Sequence, residues 1–255
     1  MIFVIDSGNT NIVMALFAKD NLQASIRIST NQARTEDEYY FIVRQFLADQ
    51  KTDISSIEAV VISNVVPQID YALASLCKKY FNLKPFIVGD KNLKLGLTIK
   101  IDNPNEVGSD RLVNAAEAFR KYQDNCIIID FGTATNFDII TKNGEYIGGV
   151  LAPGVQLSLN SLYQAAAKLP QVSIVKPEKI IGKSTITAMQ SGIYWGYVSM
   201  VQGIISRIQQ ELSQECSIIA TGGLASLIFD GTGIIGTLEP NLTIYGLKYI
   251  YELNK

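Results

Sequence analysis

The sequence predicts an α/β fold assembled from two related halves, and three observations carry that prediction. A strand–Asp–x–Gly–strand unit occurs twice, as "FVIDSGNTNIVMALF" at 3–17 and as "CIIIDFGTATNFDII" at 126–140. β-rich runs alternate with stretches of helical periodicity, and no linker or low-complexity segment separates them. At 255 residues, 47% apolar and 18% charged, the chain has the composition of a core-forming protein and the length of one large domain or two modest ones.

Taken in order, residues 2–6 and 11–18 read as strands joined by a Gly-containing turn. "TEDEYYFIVRQFLADQ" (35–50) opens with Thr35 and Glu38 at capping-box spacing, then places Tyr39, Val43, Phe46 and Leu47 on one helical face. Residues 57–63 read as a buried strand and 68–81 as a helix. The segment "RLVNAAEAFRKY" is a helix with Val113, Ala116 and Phe119 on one side. Strands are expected at 126–130, 136–141 and 145–151, and helices at 154–168 and 185–212. The strand "SIIATGG" and a helix over 242–253 close the chain. The two halves are expected to divide as 1–117 and 118–255.

Several function classes fall away on composition. The formal charge of −2, with Lys and Arg scattered, offers no basic stripe for a nucleic-acid backbone. The start "MIFVIDSGN" has no basic n-region, so it does not read as a signal peptide, and a cytoplasmic protein is expected. Cys77, Cys126 and Cys216 lie far apart in helix-like or strand-like runs and read as free thiols in a reducing compartment. The chain contains no histidine. Ser-His-Asp and Cys-His nucleophiles, His-containing zinc sites and histidine general bases are therefore excluded, leaving carboxylate, Lys, Tyr or water for proton transfer.

Three tempting motifs fail on context. "GTGIIG" (231–236) fits a dinucleotide pattern but follows a helix-like stretch and leads into "TLEPNL". "GKS" (182–184) resembles the tail of a P-loop, yet the required first glycine is Pro177. Residues 184–206 carry no charge, but Ser184, Thr185, Thr187, Gln190, Ser191, Ser199, Gln202 and Ser206 are too polar for lipid. The stretch reads as a helix buried on most sides. Gly192 and Gly196, four apart, suit the close approach of another helix, in the core or across a subunit interface.

The repeat is the one feature that points to chemistry. A shift of 124 residues (130 − 6) superposes Asp6 on Asp130 and Gly8 on Gly132. An aspartate at a strand tip can meet a cation directly or through water. The glycine lets the backbone turn tightly and approach a ligand. Asn9, Thr10, Asn11, Thr133 and Thr135 supply hydroxyls, amides and main-chain N–H groups, the donors that phosphate requires. Two such loops facing each other would grip a polyphosphate; two ordinary hairpins are the plainer alternative.

"DSGNTN", "NPNEVGSDR", "DFGTATNFD", "GGVLAPG", "AMQSGIYWGY" and "TGGLA" occur in that order along the chain. Together they resemble the type III pantothenate kinases, which phosphorylate pantothenate at the start of coenzyme A synthesis. The resemblance implies a duplicated RNase H-like fold of the actin-like, sugar-kinase-like class. It implies that Asp6, Ser7, Gly8, Asn9, Thr10, Asn11, Ile12 and Val13 form an ATP phosphate-binding segment and that Thr133 contacts ATP. Gly108, Ser109, Asp110 and Arg111 match a substrate motif, usually Gly-Ala-Asp-Arg, whose Asp accepts the proton. Asp130 matches a monovalent-cation ligand (K+ or NH4+), and Thr185 a pantothenate contact near the interface of a homodimer. "TGGLA" sits where relatives hold adenosine, its glycines suiting a flat base laid on backbone. Ile101 stands where members often carry a Tyr lining the substrate pocket, and Ser109 replaces the usual Ala. Mg2+ on the nucleotide is expected from phosphoryl transfer in general.

Physics points Asp110 the same way. It precedes a helix expected near Arg111, whose positive end would favour the ionised carboxylate, although simple capping accounts for an Asp there too. Arg111 could pair with the pantothenate carboxylate or with the neighbourhood of Asp110. Two other functions share the fold: a kinase for another small hydroxy compound, and an accessory regulator of transcription that does no chemistry.

Overall fold

The computed structural model describes residues 1–166 and 168–255. They form two compact units: Met1–Leu97 with Asp102–Glu117 and Leu242–Lys255, and Thr98–Ile101 with Ala118–Asn241.

The first unit is built on a sheet of five strands: β1 (Ile2–Ser7), β2 (Asn11–Ala18), β3 (Asn21–Ser29), β4 (Ala59–Asn64) and β5 (Phe86–Ile87), in the order β3-β2-β1-β4-β5. β1 runs antiparallel to β2 and parallel to β4. Its continuous apolar run follows from burial on both faces. Phe3 and Ile5 join one core with Tyr39, Val43, Phe46 and Leu47 of α1 (Glu36–Asp49), while Ile2 and Val4 join another with Val113, Ile244 and Leu247. β3 alternates exposed and half-buried residues, as an edge strand does. Its period-2 pattern is plain in the sequence, with Leu22, Ala24, Ile26 and Ile28 alternating with polar residues, although the sequence expectation does not include this strand. The capping box of α1 forms as expected: Thr35 Oγ1 accepts from Glu38 N, and Glu38 Oε2 accepts from Thr35 N.

The helix expected over 68–81 is broken into a short 3-10 turn at Pro67–Ile69, α2 (Asp70–Leu76) and a wider turn at Cys77–Phe81 closed by left-handed Asn82. α3 spans Ser109–Tyr122.

The second unit holds β6 (Thr98–Ile99), β7 (Cys126–Phe131), β8 (Ala134–Ile140), β9 (Glu145–Pro153), β10 (Ser217–Thr221) and β11 (Thr237–Leu238), in the order β11-β10-β7-β8-β9-β6. Without the added edge strand β6, this is the first sheet again: β9-β8-β7-β10-β11 repeats β3-β2-β1-β4-β5, with the same parallel and antiparallel pairings. α4 (Val155–Ala165), α5 (Thr185–Leu212) and α6 (Ala225–Thr232) bring Val155, Tyr194, Val198, Val201 and Ile228 onto this sheet. Of the helix expected over 154–168, Ala167 lies outside the described residues. The false dinucleotide motif begins within α6, and left-handed Gly233 stops that helix.

Two expectations need correction. The last helix, α7 (Leu242–Asn254), packs on β1 and β4 and belongs to the first unit, so a single division at 117/118 is too simple. Its attachment is polar as well as apolar. Lys248, only 8% exposed, donates to Asp20 and Glu252, and Asn254 pairs with both the N–H and the carbonyl of Lys94. Second, α5 is not enclosed on most sides. It buries a stripe of Met189, Tyr194, Tyr197, Val201, Ile205 and Ile208, whereas Gly192, Gly196 and Ser199 are exposed. A Cβ at either glycine would meet nothing within 4 Å. No helix among the described residues is long and apolar enough to cross a membrane.

Candidate functional site

Each unit presents one loop of the repeat. In the first, Asp6 faces Val13 and Ser7 faces Ile12 across the β1–β2 pair, so residues 8–11 make the turn. Gly8 N donates to Asn11 O at 3.0 Å, and Asn9, Thr10 and Asn11 are exposed. Thr30, just past β3, holds this turn from the side: its hydroxyl donates to Gly8 O at 2.6 Å and its N–H to Thr10 O at 3.0 Å. Sequence reasoning missed Thr30, which carries no motif. Ser7 is 1% exposed and, among the described residues, its hydroxyl has no hydrogen-bond partner. The Ile12 side chain is core and Val13 packs against the second apolar layer, so both can serve a ligand only through main chain.

In the second unit Asp130 faces Asn136 and Phe131 faces Thr135, leaving residues 132–134 as the turn. The second copy is thus one residue shorter, and Gly132 N donates to Ala134 O at 3.0 Å. Gly132 and Thr133 are exposed, whereas Thr135 is fully buried beneath them. The wall behind this turn is main chain: Gly154 N donates to Thr133 O at 3.1 Å. A Cβ on Gly154 would stand 2.6 Å from Gly132 O and closer still to Thr133 O, so only glycine fits. Pro153 is fixed in turn by Tyr197, whose hydroxyl lies 2.9 Å from Pro153 O and 2.5 Å from Ser158 Oγ.

Gly222, at φ +94°, closes the Asp130 side. A Cβ there would lie 2.6 Å from Phe131 N and 2.8 Å from Phe131 C, and against Asp130 Oδ1. The first glycine of "TGGLA" is therefore required by the close approach of its own backbone to Asp130, a reason independent of any base laid on it. Among the described residues no group of three or more His, Cys, Asp or Glu could hold a metal. Asp130 is thus a single carboxylate packed against glycine backbone.

Asp110 is half-buried in the first turn of α3. Its Oδ1 accepts from Arg111 N at 2.8 Å and folds back over Gly108, where a Cβ would be 2.5 Å away. Loss of water around the carboxyl raises its pKa above the ordinary aspartate value, opposed by the Arg111 N–H and the Arg111 charge. The expectation that the helix end would favour the ionised form is overturned in its net sign: desolvation outweighs it. Ser109, 8% exposed, turns its hydroxyl inward, 3.0 Å from Ser63 Oγ and 3.2 Å from Asn64 O. Ile101 lies in the second unit, where a Cβ on Gly148 would meet its Cγ2 at 3.8 Å. Thr185 is exposed at the first position of α5, after a Ser184–Thr187 capping box. Burial pushes the thiols of Cys77 and Cys126 up to about 12, which disfavours any thiolate role.

With this geometry described, the comparisons become specific. The family profile for type III pantothenate kinase matches residues 2–207. A type III pantothenate kinase of Paramagnetospirillum magneticum is 46% identical over 254 residues, covering 100% of this chain and 98% of its own. Among solved structures, a Campylobacter jejuni protein assigned to the Baf family of transcriptional activators has a TM-score of 0.61 at 18% identity, covering 99% and 98% of the two chains. An Arthrobacter polyphosphate/ATP-glucomannokinase has a TM-score of 0.52 at 15% identity, covering 100% and 99%. These structural likenesses establish the duplicated α/β architecture of sugar kinases. The sequence matches go further: the chain belongs to the type III pantothenate kinase family.

Proposed function

We propose that the chain transfers the γ-phosphoryl group of ATP to the hydroxyl of pantothenate, giving 4′-phosphopantothenate for coenzyme A synthesis. The observation that carries this reading is the full-length identity to a named family member, with Asp6, Asp110, Asp130 and Thr133 all present.

The roles follow from what phosphoryl transfer needs, in-line positioning and neutralised charge. The turns at residues 8–11 and 132–133 bind the ATP phosphates through main-chain N–H groups and the side chains of Asn9, Thr10, Asn11 and Thr133. Asp6, near the end of β1, leads into the first of these turns. Asp110 orients the pantothenate hydroxyl and takes its proton; a raised proton affinity suits a general base. Gly108 gives that carboxylate room, and Arg111 pairs with the pantothenate carboxylate. Thr185 and Ile101 line the remainder of the substrate site. Mg2+ on the nucleotide would neutralise phosphate charge, and Asp130 would hold a potassium or ammonium ion.

The protein acts as a cytoplasmic homodimer. The exposed Gly192 and Gly196 of α5 would let a second copy approach this helix closely. ATP turnover by the purified protein, with and without pantothenate, in potassium and in sodium buffer, tests the reading. Turnover requiring both pantothenate and potassium is expected. Turnover with another hydroxy compound alone, or none in any cation, would replace it with one of the other functions of this fold.

A further inference from the structure

We propose that Ser109 is a positioning residue: its hydroxyl ties the first turn of α3, which carries Asp110, to the end of β4, and thereby sets the base relative to the first phosphate loop. This rests on the reading of Asp110 as the base.

The Ser109 side chain does not present itself to a substrate. It is 8% exposed and makes two contacts, both with β4. With Ser109 donating to Asn64 O, the fully buried Ser63 hydroxyl is left as donor to Ser109 Oγ across 3.0 Å. The anchor is itself rigid. Asn64 Nδ2 donates to Val66 O at 2.8 Å and to Asp70 Oδ1 at 2.6 Å, while its Oδ1 accepts from Val66 N.

What the anchor adjoins gives the contact its consequence. β4 lies parallel to β1 with Ser63 beside Asp6 and Asn64 beside Ser7, and Val65 N donates to Ser7 O at 3.0 Å. The strand that receives the Ser109 hydroxyl is thus the direct neighbour of the strand ending in the phosphate loop. The tether and the carboxylate are on adjacent residues. A proton acceptor must sit within a few tenths of an ångström of its station, and a phosphoryl donor opposite the nucleophile, so the spacing of these two strand ends matters to the rate. An alanine at 109 would remove both side-chain bonds from the α3 turn to β4 and would orphan the Ser63 hydroxyl.

The test uses Ser109→Ala, Ser63→Ala and the double variant, with Asp110→Asn as reference, in steady-state kinetics over a pH series. Ser109→Ala should lower kcat about fivefold, the rate equivalent of one lost neutral hydrogen bond, and Ser63→Ala, which keeps the bond to Asn64 O, should lower it less, with KM for ATP unchanged in both. The double variant should fall no further than Ser109→Ala, which already removes both bonds. Water admitted to Asp110 should also move the acid limb of the kcat profile to lower pH, which a loss of general stability would not do. Wild-type kcat and acid limb in both single variants, or additive losses in the double, overturn the tether while Asp110→Asn remains inactive. If Asp110→Asn keeps its rate, the base assignment itself has failed, and the tether with it.

Discussion

Gly222→Ala is the sharpest perturbation the fold offers, because two penalties coincide at one atom. The backbone sits at φ +94°, where a side chain is strained, and the added Cβ would meet the main chain of Phe131 at 2.6 and 2.8 Å as well as the Asp130 carboxylate. Two other glycines isolate the components. Gly233 has φ +64° with nothing within 4 Å, so alanine there carries only the conformational cost, about 1–2 kcal/mol. Gly154 has an ordinary φ of −72° but a backbone clash, so alanine there carries only the overpacking cost, about 1–3 kcal/mol. Gly222→Ala should then lose about 2–5 kcal/mol, and at about 2–4 °C per kcal/mol its Tm should fall the furthest of the three. Urea unfolding of the set, paired with ATP turnover, measures this. Activity should separate the variants in another way: Gly154→Ala and Gly222→Ala, which displace the turn at 132–134, should lose turnover, whereas Gly233→Ala should keep it. A Gly222→Ala protein no less stable than Gly233→Ala would refute the argument that this glycine exists to admit Asp130.

Asp110→Asn should cut kcat by about 10²–10⁴. It should also be more stable than the parent at neutral pH: a raised native pKa means folding favours the protonated acid, a contribution present below the unfolded value and lost as pH rises through the native one. Thermal melts should therefore show the gap between the two proteins closing as pH falls, and a variant less stable at neutral pH would contradict the sign. Thr30→Val removes the 2.6 Å bond to Gly8 O and should raise KM for ATP about fivefold, with little change in KM for pantothenate. Tyr197→Phe frees Pro153 O and Ser158 Oγ and should cost about 1–3 kcal/mol in denaturant unfolding, with KM for ATP rising as well; an unchanged KM would mean that the turn before Gly154 does not need this support.

The sequence displays elements whose signal is local. The Thr35–Glu38 capping box, the long helix over 185–212 and the two Asp–x–Gly turns all depend on neighbours a few residues away, and the structure has each of them. What the sequence hid depends on distant partners. Thr30 acquires a role only because the pairing of β3 with β2 carries its hydroxyl to Gly8, whereas β3 itself, with its strict alternation of Leu22, Ala24, Ile26 and Ile28 with polar residues, is legible locally. α7 reads as an apolar helix, but no local pattern says that it lies on β1 and β4. Asp110 shows the same limit in its energetics. A helix N-terminus is visible in sequence and argues for ionisation; the water lost on packing is not visible, and it decides the sign.

The two loops show how a duplicated unit can keep its frame and diverge in its walls. Strand order and pairing are the same in both sheets, so each copy places an aspartate and a glycine at equivalent strand ends. The first turn spans residues 8–11 and is braced by a side chain, Thr30, brought from the end of a strand in its own sheet. The second spans residues 132–134 and is braced by bare backbone at Gly154 and Gly222, with Tyr197 of α5 fixing the segment before Gly154. A side-chain brace can be exchanged for another of similar reach. A backbone brace tolerates no Cβ, and it transmits any shift of α5 directly into the turn. The second loop is therefore the less forgiving of the two, and the long helix whose glycine face stands open is mechanically joined to it through Tyr197 and Pro153.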